Sequence, residues 1–179
     1  RFLTAGSRAV TEVFPRAEVM LHLTNIHDGI DGLTSWFDEI TRRDVPFDVI
    51  GLSYYSYWHG TLIDLQRTIS TLADRYERDV IVVETAYAFT LEDDPRSPFE
   101  NIVADPSQLA PGYPATPEGQ AAAFLAVQGV TVSAPATGGR GRGAVYWEPA
   151  WTAVGGAGWD PEDPSSGNAW ENQAMFDFD

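Results

Sequence analysis

Four times along the chain a short apolar run gives way to a polar, Gly- or Asp-rich loop and then to a helical pattern. Residues 19–23 (VMLHL) read as a strand, 24–32 as its loop and 33–43 as a helix. Residues 49–53 (VIGLS) form the next strand, with 54–60 as a loop. Residues 61–76 then carry Leu62, Leu65, Ile69, Leu72 and Tyr76 close to a 3.6-residue period. The third strand is 80–84 (VIVVE), followed by a long proline-bearing loop over 85–115. Thr116-Pro117-Glu118 has the form of an N-cap with proline at the first helical position, opening a helix to about residue 127. The fourth strand is 143–147 (GAVYW), and a Trp/Gly/Pro-rich loop then runs to residue 169. Residues 2–14 at the front read as one more helix, and the flexible stretch 133–143 as a loop, not a domain linker.

Apolar strands alternating with helices predict an α/β fold with a parallel sheet covered by helices. No Gly-rich phosphate loop follows any strand, which disfavours a nucleotide-binding open sheet. Polar and aromatic residues gather instead at the strands' C-terminal ends: His22 and Asn25, Tyr54 and Tyr55, Glu84, and Trp147 with Glu148. That distribution suits the catalytic face of a (β/α)8 TIM barrel. A complete barrel takes about 250 residues, whereas this chain has 179 and four βα units. Four units would leave open strand edges and an uncovered core face. The expectation is therefore a single catalytic barrel domain of which residues 1–179 supply the C-terminal half and depend on the N-terminal half.

Composition narrows the partners. A net charge of −15 repels phosphate backbones and anionic lipid, so nucleic acid and membrane surfaces are poor candidates while neutral sugars are untouched. Cysteine is absent, which excludes a disulfide framework, a thiol nucleophile and thiolate metal sites. No run reaches the ~20 apolar residues of a membrane span, and no signal peptide is visible at Arg1-Phe2-Leu3-Thr4. Six tryptophans, clustered late in Gly/Pro-rich sequence, can serve either as a ligand surface or as caps on a core.

Longer motifs then become specific. Residues 48–62 (DVIGLSYYSYWHGTL) resemble the sixth-strand region of arabinogalactan endo-β-1,4-galactanases, glycoside hydrolase family 53. Residues 82–87 (VVETAY) look like that family's seventh-strand nucleophile motif, and 112–120 (GYPATPEGQ) like its approach to the next helix. Residues 146–151 (YWEPAW) resemble the eighth strand, and 170–178 (WENQAMFDF) the C-terminus. The resemblance implies a secreted, retaining glycosidase that needs no cofactor and cleaves β-1,4-galactan, as in pectin side chains. It implies two glutamates, one in an Asn-Glu pair ending the fourth strand as acid/base, the other ending the seventh as nucleophile. Glu84 matches the nucleophile, and the Asn-Glu dipeptide does not occur in these residues. The isolated chain is accordingly expected to be inactive and poorly folded. A non-catalytic carbohydrate-binding fragment, or a clan relative acting on another β-linked polysaccharide, remains the alternative.

Each candidate also has a structural reading. Glu84 could make a rim salt bridge, although the resemblance favours attack on the sugar. Glu148 orients a sugar hydroxyl or accepts from a neighbouring indole, unless it is purely structural. Tyr54 and Tyr55 alternate faces, so one enters the cleft and the other the core; Tyr55 is preferred for the cleft because clan relatives hold the nucleophile with a sixth-strand tyrosine. His22 stands where those relatives present a polar group to the sugar, and is equally read as a satisfied structural histidine. His59 lines the cleft or is solvated. Trp58, Trp147, Trp151 and Trp159 are candidate platforms for sugar rings, whose C–H faces stack on aromatic surfaces, whereas Trp36 belongs to a helix and to the core. Bacterial relatives can bind calcium through the loop after the seventh strand. Here Asp93 and Asp94 would be the ligands, but the regular Asp-x-Asp spacing is missing and Arg96 and the prolines oppose a tight cage.

Overall fold

The computed structural model describes residues 1–24, 26, 29–95, 100–151, 158, 160, 162–163 and 168–178. Among these, α1 is Phe2–Val13, β1 Met20–Leu23, α2 Ile30–Arg42, β2 Val49–Ser53, α3 Leu62–Tyr76, β3 Asp79–Thr85, α4 Pro117–Ser133 and β4 Gly141–Tyr146. The strands form one four-stranded sheet in chain order, with parallel pairing of β1 with β2 and of β2 with β3. None of the described helices is long and apolar enough to cross a membrane.

Residues fall into two compact units, Arg1–Tyr54, Trp58–Glu84 and Val127–Val145 forming the first. Its core lies on one face of the sheet. Leu21, Ile50, Leu52, Val80 and Val82 point to that face and are buried beneath Leu33, Phe37 and Ile40 of α2 and Leu65, Ile69 and Leu72 of α3. Each fully buried aliphatic chain of this kind contributes roughly 1.5–3 kcal/mol. Trp36 packs edge-on to Phe37 at 5.0 Å, on the margin of this core as expected. A reciprocal cap opens α3: Asp64 N–H donates to the Thr61 hydroxyl, and Thr61 N–H to the Asp64 carboxylate. Glu77, at φ 53°, ends it in the left-handed region.

The second unit comprises Tyr55–Tyr57, Thr85–Ala126 and Tyr146–Asp179. Its small core is Tyr55, Ala86 and Tyr146, with Tyr57, Phe124 and Trp170 packed against it. Among its described residues the segment after β3 has little regular structure, yet its backbone is held by side chains. Tyr57 accepts from Ala88 N–H at 2.6 Å and stacks on Tyr87 at 5.2 Å. The Tyr87 hydroxyl donates to the Tyr113 carbonyl and accepts from Ala110 N–H. Asn172 donates to the Thr90 and Val103 carbonyls, and Gln120 to those of Tyr87 and Ala174. Burial pushes the Tyr146 phenol up to about 12 and raises that of Tyr57, so both hydroxyls stay neutral.

The elements depart from the sequence pattern in a few places. Strand β2 is buried throughout, whereas in β1 Met20 and His22 stand exposed while Leu21 is buried. Helix α4 runs past residue 127 to Ser133, because Gly129 weakens a helix without ending it. Strand β4 begins two residues early and closes at Tyr146, leaving Trp147 just beyond it.

Candidate active site

Regular alternation would bury Glu84. Paired residues of parallel strands share a face, so Leu21, Ile50 and Val80 face the helices, as do Leu52 and Val82. His22, Gly51 and Ile81 form the row on the opposite face. Two residues beyond Val82, Glu84 would return to the helix-covered side, where an unpaired carboxylate is strongly disfavoured. The register slips between Leu52 and Ser53: Leu52 pairs with Val82, but Ser53 pairs with Glu84. One extra residue in β3 makes a bulge, and Glu84 joins the face of Ser53 and His22. Its carbonyl is fixed by Tyr54 N–H at 2.8 Å.

On that face Nε2 of His22 lies 3.7 Å from Oε1 of Glu84 and 2.8 Å from the Ser53 hydroxyl. The Glu84 side chain is 19% exposed and that of His22 32%, so both reach solvent while Ser53 is buried. The site therefore presents a carboxylate, an imidazole and a hydroxyl together at the C-terminal ends of three adjacent strands. Ser53 is the member that sequence reasoning missed, and its place at the end of β2 was the available signal.

Other expected residues of this unit fall elsewhere. Tyr54 is a correction: fully buried in the core, with its hydroxyl donating to the Gly60 carbonyl, it has no surface to offer a sugar. Tyr55, the other of the pair, is buried as well, in the small core of the second unit. His59 is not a solvated loop histidine either; it is 8% exposed, and its Nδ1 lies 3.1 Å from the Ser53 carbonyl, to which only a protonated Nδ1 can donate. Trp58, 42% exposed, stands edge-on to His59, and both line a cavity of about 460 Å³ with Ile26, Ile30 and Arg67. Asn25 lies outside the described residues, as does Trp159.

In the second unit Tyr55 is 5% exposed and packs on Trp170 at 5.3 Å. Trp147 is 37% exposed and its N–H donates to the Thr85 carbonyl. Glu148 adopts φ 49°, a left-handed backbone conformation that turns the chain directly after β4. Half-buried Trp151 is held through its carbonyl, which accepts from Asn168. Asp93 accepts from both the backbone and side-chain N–H of Asn101, and Asp94 is fully buried. Among the described residues no three His, Cys, Asp or Glu side chains converge.

The model of glycosyl hydrolase family 53 matches residues 1–179. The chain belongs to that family. Within family 53 it is 37% identical to the endo-beta-1,4-galactanase of Bacillus subtilis, over 97% of this chain and 45% of that protein. It is 31% identical to the arabinogalactan endo-beta-1,4-galactanase of Cellvibrio japonicus, over 98% of this chain and 44% of that one. Among solved structures, the family 53 catalytic domain of Ignisphaera aggregans superposes with a TM-score of 0.84 and 36% identity, covering 97% of this chain and 46% of that one. The chain thus spans about half the length of the relatives it matches, and its fold is that of their TIM barrel, represented by four strands.

Proposed function

We propose that the protein containing this chain is a retaining endo-glycosidase of β-1,4-galactan, with Glu84 as nucleophile. The observation that carries the reading is the bulge in β3, which turns Glu84 out of the apolar layer onto the polar face of the strand ends, in a chain that belongs to family 53. One Glu84 oxygen attacks the anomeric carbon as the glycosidic C–O bond breaks, and a second carboxylic acid gives its proton to the leaving oxygen. Water, deprotonated by that same group, then releases the sugar and restores Glu84. The acid/base glutamate lies outside these residues, in the other half of a single catalytic barrel domain.

His22 faces the carboxylate and offers a hydrogen bond to the sugar. Trp58, Trp147, Trp151 and Trp159 supply stacking surface in this reading, and Asn25 a polar group. Tyr55 and Glu148 contribute polar groups, Tyr55 its hydroxyl only, since its ring is packed on Trp170. No step needs a cofactor, and a secreted enzyme meets this polymeric substrate outside the cell. Glu84→Gln in the full-length protein is expected to lower galactan hydrolysis by at least ~10³-fold with the fold intact by circular dichroism. Unchanged activity would sink the assignment, and preference for mannan or xylan in parallel reducing-sugar assays would end the galactanase reading.

A further inference from the structure

The bulge that delivers Glu84 also brings Ser53 into line with it, and the Ser53 hydroxyl is spent on His22. The distances separate two kinds of contact. At 2.8 Å the His22 Nε2 is hydrogen-bonded to Ser53, and at 3.7 Å it is beyond hydrogen-bond reach of Glu84 Oε1. Ser53 itself is held at both ends: it is 1% exposed, its carbonyl lies 3.1 Å from His59 Nδ1, and the next residue's N–H binds the Glu84 carbonyl. A hydroxyl fixed in this way anchors the imidazole ring at a set distance from the carboxylate.

Resting on the assignment of Glu84 as nucleophile, we propose that Ser53 is a positioning residue that tethers His22 beside the attacking carboxylate and keeps it from closing onto it. An imidazole N–H that moved about 0.8 Å nearer would reach the 2.7–2.9 Å range of a charge-assisted hydrogen bond. It would then stabilise the carboxylate before the reaction, where the charge is full, more than in the transition state, where the charge is leaving the oxygen. Interactions stronger in the ground state slow the chemical step. Gly51 takes part by omission, since a Cβ there would lie 3.2 Å from the His22 Cβ and crowd the ring's stem.

The test is the rate at which the full-length enzyme is trapped by an activated 2-deoxy-2-fluoro-β-galactosyl fluoride, which reports the attack alone. In that step a carboxylate oxygen bonds to C1 as the C1–F bond breaks and fluoride leaves. Ser53→Ala is expected to slow trapping about tenfold, as displacement of a group by under 1 Å can, with the probe's dissociation constant within twofold. Ser53→Thr, which keeps the hydroxyl, should trap at close to the parent rate. Trapping of Ser53→Ala at the parent rate, with the label on Glu84, would overturn the inference and leave the nucleophile assignment standing. A label on another residue would overturn both. If Ser53→Ala fails to fold, Ser53→Cys, whose thiol bonds weakly, is read in the same way.

Discussion

Ser53 pairs with Glu84 and not with Val83. That single slip decides the chemistry of β3. Without it the carboxylate would lie in the row of Val80 and Val82, whose side chains are wholly buried.

Gly51 sits in the row of His22, and a methyl group there would meet Met20 Sδ at 2.6 Å as well as the His22 Cβ. The Met20 sulfur is the far part of a flexible chain and can move, whereas the His22 Cβ is fixed to β1. Gly51→Ala is expected to cost about 1–3 kcal/mol by overpacking, measured by urea unfolding of the full-length protein. It should also lower kcat/KM for galactan. A stability change alone, with kinetics intact, would count against the placement of His22.

Tyr54 and Trp58 lie four residues apart and should separate cleanly. Tyr54→Phe removes the hydrogen bond to the Gly60 carbonyl and should cost about 1 kcal/mol of stability, with kcat/KM within twofold of the parent. A large kinetic effect would return Tyr54 to the substrate.

Trp58→Ala should do the reverse. Loss of an exposed stacking surface raises KM for galactan by about tenfold, roughly 1.4 kcal/mol, while kcat stays within twofold. Equal losses in kcat and kcat/KM would place Trp58 in transition-state contacts instead.

The opposite end of the sheet sets the response to acid. Asp74 is held below its ordinary pKa of 3.8 by the N–H groups of Gly138 and Thr137. At Asp79 burial acts upward, but the Arg142 guanidinium and the Arg140 N–H outweigh it and the net shift is downward. A depressed native pKa means stability that is present above the unfolded value and lost as pH falls through the native one. Melting temperature should therefore decline from about pH 4 downward, with little change between pH 5 and 7 from these groups. Asp74→Asn should be less stable than the parent at pH 7 and decline less on acidification; parallel curves would refute the role.

Much of this was legible in the chain. Strand positions followed from apolar runs, and the helix carrying Leu65, Ile69 and Leu72 from its period. The place of Glu84 at the end of a strand was legible from the run VIVVE, and its proposed role only from the family resemblance. The bulge was not, since no Gly or Pro marks residues 82–84 and a slip of register is decided by the partner strand. The two readings of His59 could not be separated in the chain, because burial of a loop histidine depends on a carbonyl six residues away. Ser53 has the look of ordinary strand composition, and its contact with His22 depends on the neighbouring strand.

The tyrosine hydroxyls and amide side chains that pin the segment after β3 have a consequence for protein engineering. Loops on barrel enzymes are exchanged to alter specificity, on the premise that a loop is portable. Here Tyr87, Ala88 and Thr90 at the start of that loop are held by Tyr57, Gln120, Tyr146 and Asn172, which lie outside residues 85–115. Transplanted alone, the segment would arrive without its scaffold, and a graft that keeps its shape must carry those four residues as a cassette.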